Sequence, residues 1–229
     1  MTTRIVMLPG LGADARLFGP QLDRFAEATV PGWIPPVRGE STGAYAVRFC
    51  ESAIEPAPGE DWVAVGFSFG GMVALELASR LPEDRRPRAV GLISGIRSHR
   101  SVGTPFRVAS AVGGAVPGWL ARPVLAGPGS GLFARAFGLD RGWSDELQAM
   151  ASDLDWDFLR WGVGACRRWG FDGRCPVPVS WIHGLRDAVV PYVEHAGLGD
   201  DLTLLDDRSH LLTWTRQDEV AAWMTGIVG

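Results

Sequence analysis

The sequence contains no lysine and no asparagine, and all 22 of its basic side chains are arginines. Its formal net charge is −4, whereas proteins that bind nucleic acids usually carry an excess of basic residues. The charge therefore argues against nucleic-acid binding. No run of about 18 apolar residues is present, so no membrane-spanning helix is expected. The N-terminal residues enter a strand pattern directly, without the layout of a signal peptide.

Cysteine is also scarce, with only Cys50, Cys166 and Cys175. An odd number of widely spaced cysteines argues against a disulfide framework and forms no metal-ligand pattern. We therefore expect reduced thiols and a cytoplasmic protein. No His-x-x-x-His or carboxylate cluster suggests a metal, and no Gly-x-Gly-x-x-Gly or Walker pattern suggests a nucleotide, so no cofactor is expected.

The most informative stretch begins at Trp62 and ends at Arg80. Its first part is a short apolar run typical of a buried strand, and its last part is rich in strong helix formers. Between them lies Gly66-Phe67-Ser68-Phe69-Gly70. A Gly-x-Ser-x-Gly turn between a strand and a helix is the pattern of a nucleophile elbow.

The two glycines have a steric reason in such a turn. Ser68 must lie at the tip of a sharp, strained bend, and a Cβ atom at Gly66 or Gly70 would collide with the neighbouring strand or helix. The Ser68 hydroxyl would then project above the sheet. The backbone N–H of Phe69 would face the same space from a helix N-terminus.

With this strand, turn and helix, the sequence resembles the α/β-hydrolase superfamily. The superfamily places the other half of its oxyanion hole in a glycine-rich turn after an early strand, which here is Pro9-Gly10-Leu11-Gly12. The resemblance therefore implies the N–H groups of Leu11 and Phe69 as oxyanion donors. Many members carry His-Gly where this chain has Pro9-Gly10, but the implied contact is made by the backbone. A plain strand-to-helix loop or a phosphate cradle is the alternative.

A serine hydroxyl needs an adjacent base, and the base needs an orienting acid. The resemblance implies His210 as the base, in a polar loop after the last strand. It implies Asp187 as the acid, since His183-Gly-Leu-Arg-Asp187-Ala-Val-Val-Pro191 resembles the superfamily's His-Gly-x-x-Asp-x-x-Val-Pro segment. The order Ser68, Asp187, His210 is the one expected for this fold.

The other candidates have weaker positions. His183 lies at the edge of a strand and reads as a structural histidine, while His99 and His195 read as surface groups. Asp206 is a fallback acid, although it and Asp207 are close to His210 in sequence. A serine at position 68 argues against a dehalogenase or an epoxide hydrolase, because those enzymes use an aspartate there.

The expected fold is α/β: a mostly parallel twisted sheet of about six strands flanked by helices, without the N-terminal antiparallel strands of the superfamily. With 229 residues the chain suits one domain. Residues 1–95 and 175–229 form the predicted core, and residues 96–174 a helical lid inserted after the fourth strand. Predicted strands are 4–8, 28–34, the run from 62, 88–94, 177–183 and 202–205; predicted helices include 14–18 with 21–28, 44–54, 144–153, 157–169, 192–198 and 217–224.

The leading functional hypothesis is a carboxylesterase for small or medium acyl esters, acting through an acyl-enzyme. Gly10, Gly12, Phe67 and Trp161 are the candidate substrate-binding residues; Trp161 is one of five tryptophans in the predicted lid, and most of them are expected to pack the lid onto the sheet.

Three alternatives stay open. The elbow sequence also resembles thioesterases and esterases that act on acyl-carrier-protein or CoA-linked groups. Residues 97–174 hold 10 arginines against 7 acids, which suits an acidic carrier or simply a solvated surface. A non-catalytic ligand-binding domain, or a lyase or acyltransferase using the same triad, is also compatible with the fold.

Overall fold

The structure is a computed structural model that describes residues 2–95, 143–171, 174–187, 189–192 and 201–229. Parts of the predicted lid, the predicted helix 192–198 beyond Tyr192, and both His99 and His195 lie outside these residues. None of the helices in the described ranges is long and apolar enough to span a membrane.

Six parallel strands form one sheet in the order β2-β1-β3-β4-β5-β6. They are β1 (Arg4–Leu8), β2 (Ala28–Thr29), β3 (Trp62–Phe67), β4 (Ala89–Ile93), β5 (Val179–Gly184) and β6 (Asp201–Leu205). The predicted fold class is confirmed. The fully buried residues of β3 explain its continuous apolar run, because helices cover both faces of a parallel sheet.

The register of the central strands brings their carboxyl ends to one edge. Leu8 of β1 is opposite Gly66 of β3, and Phe67 is opposite Ile93 of β4. The residues that follow these strands therefore meet at the same edge, which is where ligands bind in open α/β sheets.

Helices cover the sheet on both sides, and each side has its own apolar core. The helices are α1 (Gly19–Leu22), α2 (Thr42–Phe49), α3 (Phe69–Arg80), α4 (Ser144–Ser152), α5 (Trp156–Arg168), α6 (Leu212–Thr215) and α7 (Gln217–Val228). Side chains of α2, α3 and α5 share one core. Side chains of α4, α6 and α7 contribute to the other.

Two predicted elements at the N-terminal side are wrong in extent. The strand expected at 28–34 is only Ala28–Thr29, because Pro31 has no N–H to continue the ladder. The helix expected over 14–18 and 21–28 is only a 3₁₀ turn at Ala15–Phe18 followed by the single turn of α1, so its part after Leu22 is wrong. Since Ala28 pairs with Ile5 in the sheet, the chain must leave the helix several residues earlier.

The other described helices start or end within a few residues of their predicted limits. The predicted helix 44–54 starts two residues earlier, at Thr42, because the Ser41 hydroxyl caps the Ala44 N–H at 3.2 Å. It continues through Ile54 as a π-helical turn and ends at Glu55, which has φ +48°. In the predicted lid, α4 and α5 begin and end within one residue of the predicted limits.

Replacing Gly70 with alanine is expected to lower the free energy of unfolding by about 3 kcal/mol or more, the upper range for overpacking. An added methyl group would overlap the carbonyl of Leu8, which is held in the sheet and cannot move aside. Urea unfolding would measure the loss. Gly226→Ala is the matched control, since no atom lies within 4 Å of its added methyl group and alanine favours a helix. A Gly70→Ala variant as stable as the control would contradict the prediction.

Candidate active site

Ser68 lies in a strained backbone conformation between β3 and α3. Its φ of +51° with ψ of −113° is rare for a residue with a side chain. Its N–H donates to the Ile93 carbonyl at 3.0 Å, which ties the turn to β4. A methyl group at Gly66 would overlap the backbone of Gly70, so the steric prediction for these glycines is confirmed.

Asp187 follows β5 at the same edge, and both oxygens of its carboxylate accept hydrogen bonds. Oδ1 accepts hydrogen bonds from the N–H groups of Val189 at 2.8 Å and Val190 at 2.9 Å. Oδ2 lies 2.7 Å from Nδ1 of His210. These contacts fix which oxygen faces the histidine, because Oδ1 is held by two backbone donors.

The contact with Asp187 determines the tautomer of His210. A carboxylate only accepts hydrogen bonds, so Nδ1 carries the proton and donates it to Oδ2. In the neutral ring, Nε2 then carries no proton and can act as a proton acceptor. The side chains of His210 and Asp187 are 3% and 0% exposed, so water competes little for this hydrogen bond.

Phe67 connects the histidine to the elbow. Its ring centroid lies 4.9 Å from that of His210. A methyl group at Gly10 would lie 2.9 Å from the Phe67 ring and 3.5 Å from the Ser68 Cβ. The first glycine-rich loop, the elbow and the histidine therefore meet at one point of the sheet edge.

The loops that carry Asp187 and His210 are bonded to each other. The N–H of Leu185 donates to the Leu205 carbonyl at 2.8 Å, and that of Arg186 to the Asp207 carbonyl at 3.0 Å. An added methyl group at Gly184 would lie 3.1 Å from the Asp207 carbonyl oxygen, so the two loops touch.

The fallback acids make other contacts. Asp206 pairs with Arg186 at 2.8 Å. Asp207 pairs with Arg216 at 2.6 Å and accepts the N–H of Ser209 at 2.7 Å. Both therefore secure the histidine loop, whereas Asp187 is the carboxylate in contact with the imidazole of His210.

His183 is buried behind the acid. Its Nε2 donates to the Val190 carbonyl at 2.9 Å and lies 4.0 Å from Oδ2 of Asp187. Burial lowers the pKa of His183, and the nearby Asp187 only partly opposes this effect. A neutral His183 therefore holds Val190, whose N–H in turn holds Asp187.

The two predicted oxyanion donors are Phe69, which directly follows Ser68, and Leu11, which follows Gly10 in the first glycine-rich loop. Phe69 is the first residue of α3, where an N–H has no partner within the helix and the helix dipole favours negative charge. Among the described residues, no backbone group accepts a hydrogen bond from the N–H of Leu11. Gly12, the next residue, has φ +78° and allows the loop to turn back.

Aromatic side chains of α5 pack beside this site. Trp161 is half-buried, with its ring 4.5 Å from that of Tyr45 and 6.0 Å from that of Phe69. Its indole N–H donates to the Glu40 carbonyl at 3.2 Å. This hydrogen bond fixes the orientation of the Trp161 ring, so the ring can form a fixed wall beside the site.

Two of the three cysteines, Cys50 and Cys166, give no competing nucleophile. Burial raises the pKa of Cys50 to about 11 and that of Cys166 to about 12, so neither thiol ionises at neutral pH. In the part of the chain that the structure describes, no three His, Cys, Asp or Glu side chains are grouped so as to hold a metal ion.

The profile of the alpha/beta hydrolase family matches residues 5–223. The chain belongs to this family. No curated protein sequence matches this hydrolase significantly.

Solved structures resemble the hydrolase over nearly its whole length. An esterase from Exiguobacterium antarcticum is 16% identical with a TM-score of 0.78, over 100% of this chain and 93% of that one. An enol-lactonase from Burkholderia xenovorans is 18% identical with a TM-score of 0.71, over 99% and 91%. Epoxide hydrolases from hot-environment metagenomes are 17% identical with a TM-score of 0.67, over 100% and 91%. At these identities the likeness shows the fold alone.

The structure brings Asp187 and His210 into contact and places Gly10 and Phe67 beside the Ser68 elbow. Two contacts of the hydrolase were not predicted. The sequence predicted a structural role for His183 but not its hydrogen bond to the Val190 carbonyl. It also indicated no role for Gly162 on α5, which contacts the Leu11 side chain. Only the presence of glycine inside a helix could have indicated the second.

Proposed function

We propose that the hydrolase is a serine carboxylesterase that cleaves small or medium acyl esters through Ser68, His210 and Asp187. The observation that supports this most directly is the buried 2.7 Å hydrogen bond between His210 and Asp187 at the edge where the Ser68 turn lies. This bond leaves Nε2 of His210 as a base, and a serine is the group such a base activates.

In the first step, Nε2 of His210 removes the proton of Ser68 as its Oγ attacks the ester carbonyl carbon. The carbonyl π electrons move to oxygen, and the N–H groups of Leu11 and Phe69 stabilise that oxyanion. One such donor contributes on the order of 3 kcal/mol to the transition state. Asp187 stabilises the imidazolium ion that forms.

The tetrahedral intermediate then collapses. Its C–O bond to the leaving group breaks, and the proton on His210 passes to the alcohol, which departs. His210 next takes a proton from water as that water attacks the acyl carbon of the ester on Ser68. The second collapse returns the proton to Ser68 and releases the carboxylic acid.

The substrate's acyl part would lie between the loop of Gly10 and Gly12, the Phe67 ring and the Trp161 wall. Residues 96–174 act as the lid in this proposal, and the protein works in the cytoplasm on a small-molecule ester. The similar solved structures include an esterase and an enol-lactonase, which supports ester cleavage as the reaction class.

Covalent labelling with a fluorophosphonate, read by intact mass, tests the proposal. The wild type is expected to gain one adduct, because the reagent needs a serine activated by a neighbouring base. Ser68→Ala is expected to gain none. Ser52→Ala is the matched control, since that hydroxyl is exposed and donates to the Arg48 carbonyl at 2.9 Å; it should label like the wild type.

The same labelling separates the alternatives. An adduct that persists in Ser68→Ala would refute Ser68 as the nucleophile. No adduct on any variant would favour a non-catalytic ligand-binding domain. If Ser68 labels, a panel of matched oxoesters and thioesters then compares the carboxylesterase with the thioesterase alternative.

A further inference from the structure

Both proposed oxyanion residues contact the same lid helix. The Leu11 side chain lies against Gly162 of α5, so closely that a methyl group there would overlap it. The Phe69 ring meets the rings of Phe158 at 5.9 Å and Trp161 at 6.0 Å in edge-to-face geometry. Helix α5 therefore packs against the side chains of both proposed oxyanion residues.

Two more contacts hold the loop after Leu11 under the lid. An added methyl group at Gly12 would lie 3.2 Å from Cδ1 of Leu154, in the link between α4 and α5. Arg16 pairs with Asp153 at 2.7 Å, and Asp14 caps the 3₁₀ turn by accepting the Arg16 N–H at 2.9 Å. The segment from Leu11 to Arg16 therefore lies next to the lid at three places: Gly162, Leu154 and Asp153.

We propose that α5 positions the oxyanion hole, with Gly162 as the positioning residue that sets the Leu11 loop; this rests on the proposed function. Glycine at 162 lets the helix backbone approach Leu11, and the Leu11 side chain in turn determines where its N–H points. Glycine lowers helix stability relative to alanine, so its presence inside α5 has a cost that close packing explains.

A matched pair of glycines tests the proposal. Gly162→Ala would push the Leu11 loop or α5 away, whereas Gly164→Ala, on the same helix, meets only the flexible guanidinium of Arg168, at 3.1 Å. We expect Gly162→Ala to lower kcat about 10- to 100-fold, since a 1 Å misplacement or a weakened oxyanion donor has effects of that size. Gly164→Ala should stay within about twofold of wild type, because the Arg168 side chain can move aside and the change touches no special feature of the fold.

A trifluoromethyl ketone distinguishes positioning from a general loss of packing. Ser68 adds to its carbonyl and creates an oxyanion, so its Ki depends on the donors, while the ester KM depends mostly on ground-state binding. Gly162→Ala should weaken the Ki by about the same factor as kcat and leave KM unchanged.

Removing the Leu11 side chain completes the test. In Leu11→Ala the clash partner is gone, so adding Gly162→Ala should cause no further loss of kcat or of inhibitor affinity. If Gly162→Ala alone does not fold, Leu11→Ala alone decides: a loss of kcat at constant KM supports the proposal, and wild-type kcat overturns it.

The results separate this proposal from the proposed function. Turnover that survives Ser68→Ala would refute the proposed function itself. If Ser68→Ala is inactive but Gly162→Ala matches Gly164→Ala in kcat and Ki, only the positioning role is overturned. A Gly162→Ala variant that is less stable but keeps wild-type kcat and Ki overturns it as well.

Discussion

Asp187→Asn is expected to lower kcat about 10⁴-fold, as the same change does in a serine protease triad. The reason lies in how the carboxylate is held. Val189 and Val190 donate two N–H groups to Oδ1, so an asparagine must place its carbonyl oxygen there. Its NH₂ group would then face Nδ1 of His210.

That arrangement reverses the tautomer of the histidine. An NH₂ group donates, so Nδ1 must accept, and the ring proton moves to Nε2. His210 then has no lone pair toward Ser68 and cannot act as the base. Steady-state kinetics on an activated ester would measure the loss, which should appear in kcat with KM little changed because Asp187 is buried away from solvent.

Asp206→Asn is the control, since Asp206 is the fallback acid and its carboxylate instead pairs with Arg186 on the surface. It should keep kcat within about twofold of wild type, as exposed ion pairs contribute little. A large loss of kcat in Asp206→Asn, together with near-normal kcat in Asp187→Asn, would show that Asp206 rather than Asp187 is the acid.

Local patterns predicted much of the sheet and the elbow. The limits of β1 match the prediction at both ends, and the steric need for Gly66 and Gly70 follows from the turn alone. These features depend on residues that are close in sequence. The helix expected at 21–28 failed because the pairing of Ala28 with Ile5 is a contact across the chain, which outweighs helical spacing.

In the candidate site, too, local features could be predicted from the sequence and contacts between distant residues could not. Residue order and short motifs placed Ser68, Asp187 and His210, yet their proposed catalytic roles stay predictions until labelling and kinetics test them. The contact between Leu11 and Gly162 joins residues far apart in sequence; the glycine inside α5 is a local signal of close packing, but it does not identify Leu11 as the partner. It depends on how α5 crosses the sheet edge, which only the packed structure shows.

His210→Gln is expected to lower kcat about 10⁶-fold, the loss that follows removal of the base in a serine triad. Glutamine can still donate a hydrogen bond to Asp187, so the buried carboxylate keeps a partner. His210→Ala would leave Oδ2 of Asp187 without its hydrogen-bond donor, and a buried acceptor that loses its partner costs about 1–3 kcal/mol or more. The glutamine variant therefore tests the loss of the base with little accompanying loss of folding stability.

The loss should affect both halves of the reaction, because the same Nε2 takes the proton of Ser68 and later that of water. Stopped-flow kinetics should then show no burst of alcohol release, since acylation is slow as well. His183→Gln is the matched control: this buried imidazole bonds to the Val190 carbonyl, and glutamine can make the same bond.

Added imidazole provides the decisive comparison. In His210→Ala the missing ring leaves space beside Phe67 and Asp187, where a free imidazole can accept the Ser68 proton. Partial recovery of turnover in His210→Ala, with none in Ser68→Ala, would identify the imidazole at position 210 as the base. Wild-type kcat in His210→Gln would contradict this role directly, because glutamine has no group that can accept the proton at neutral pH.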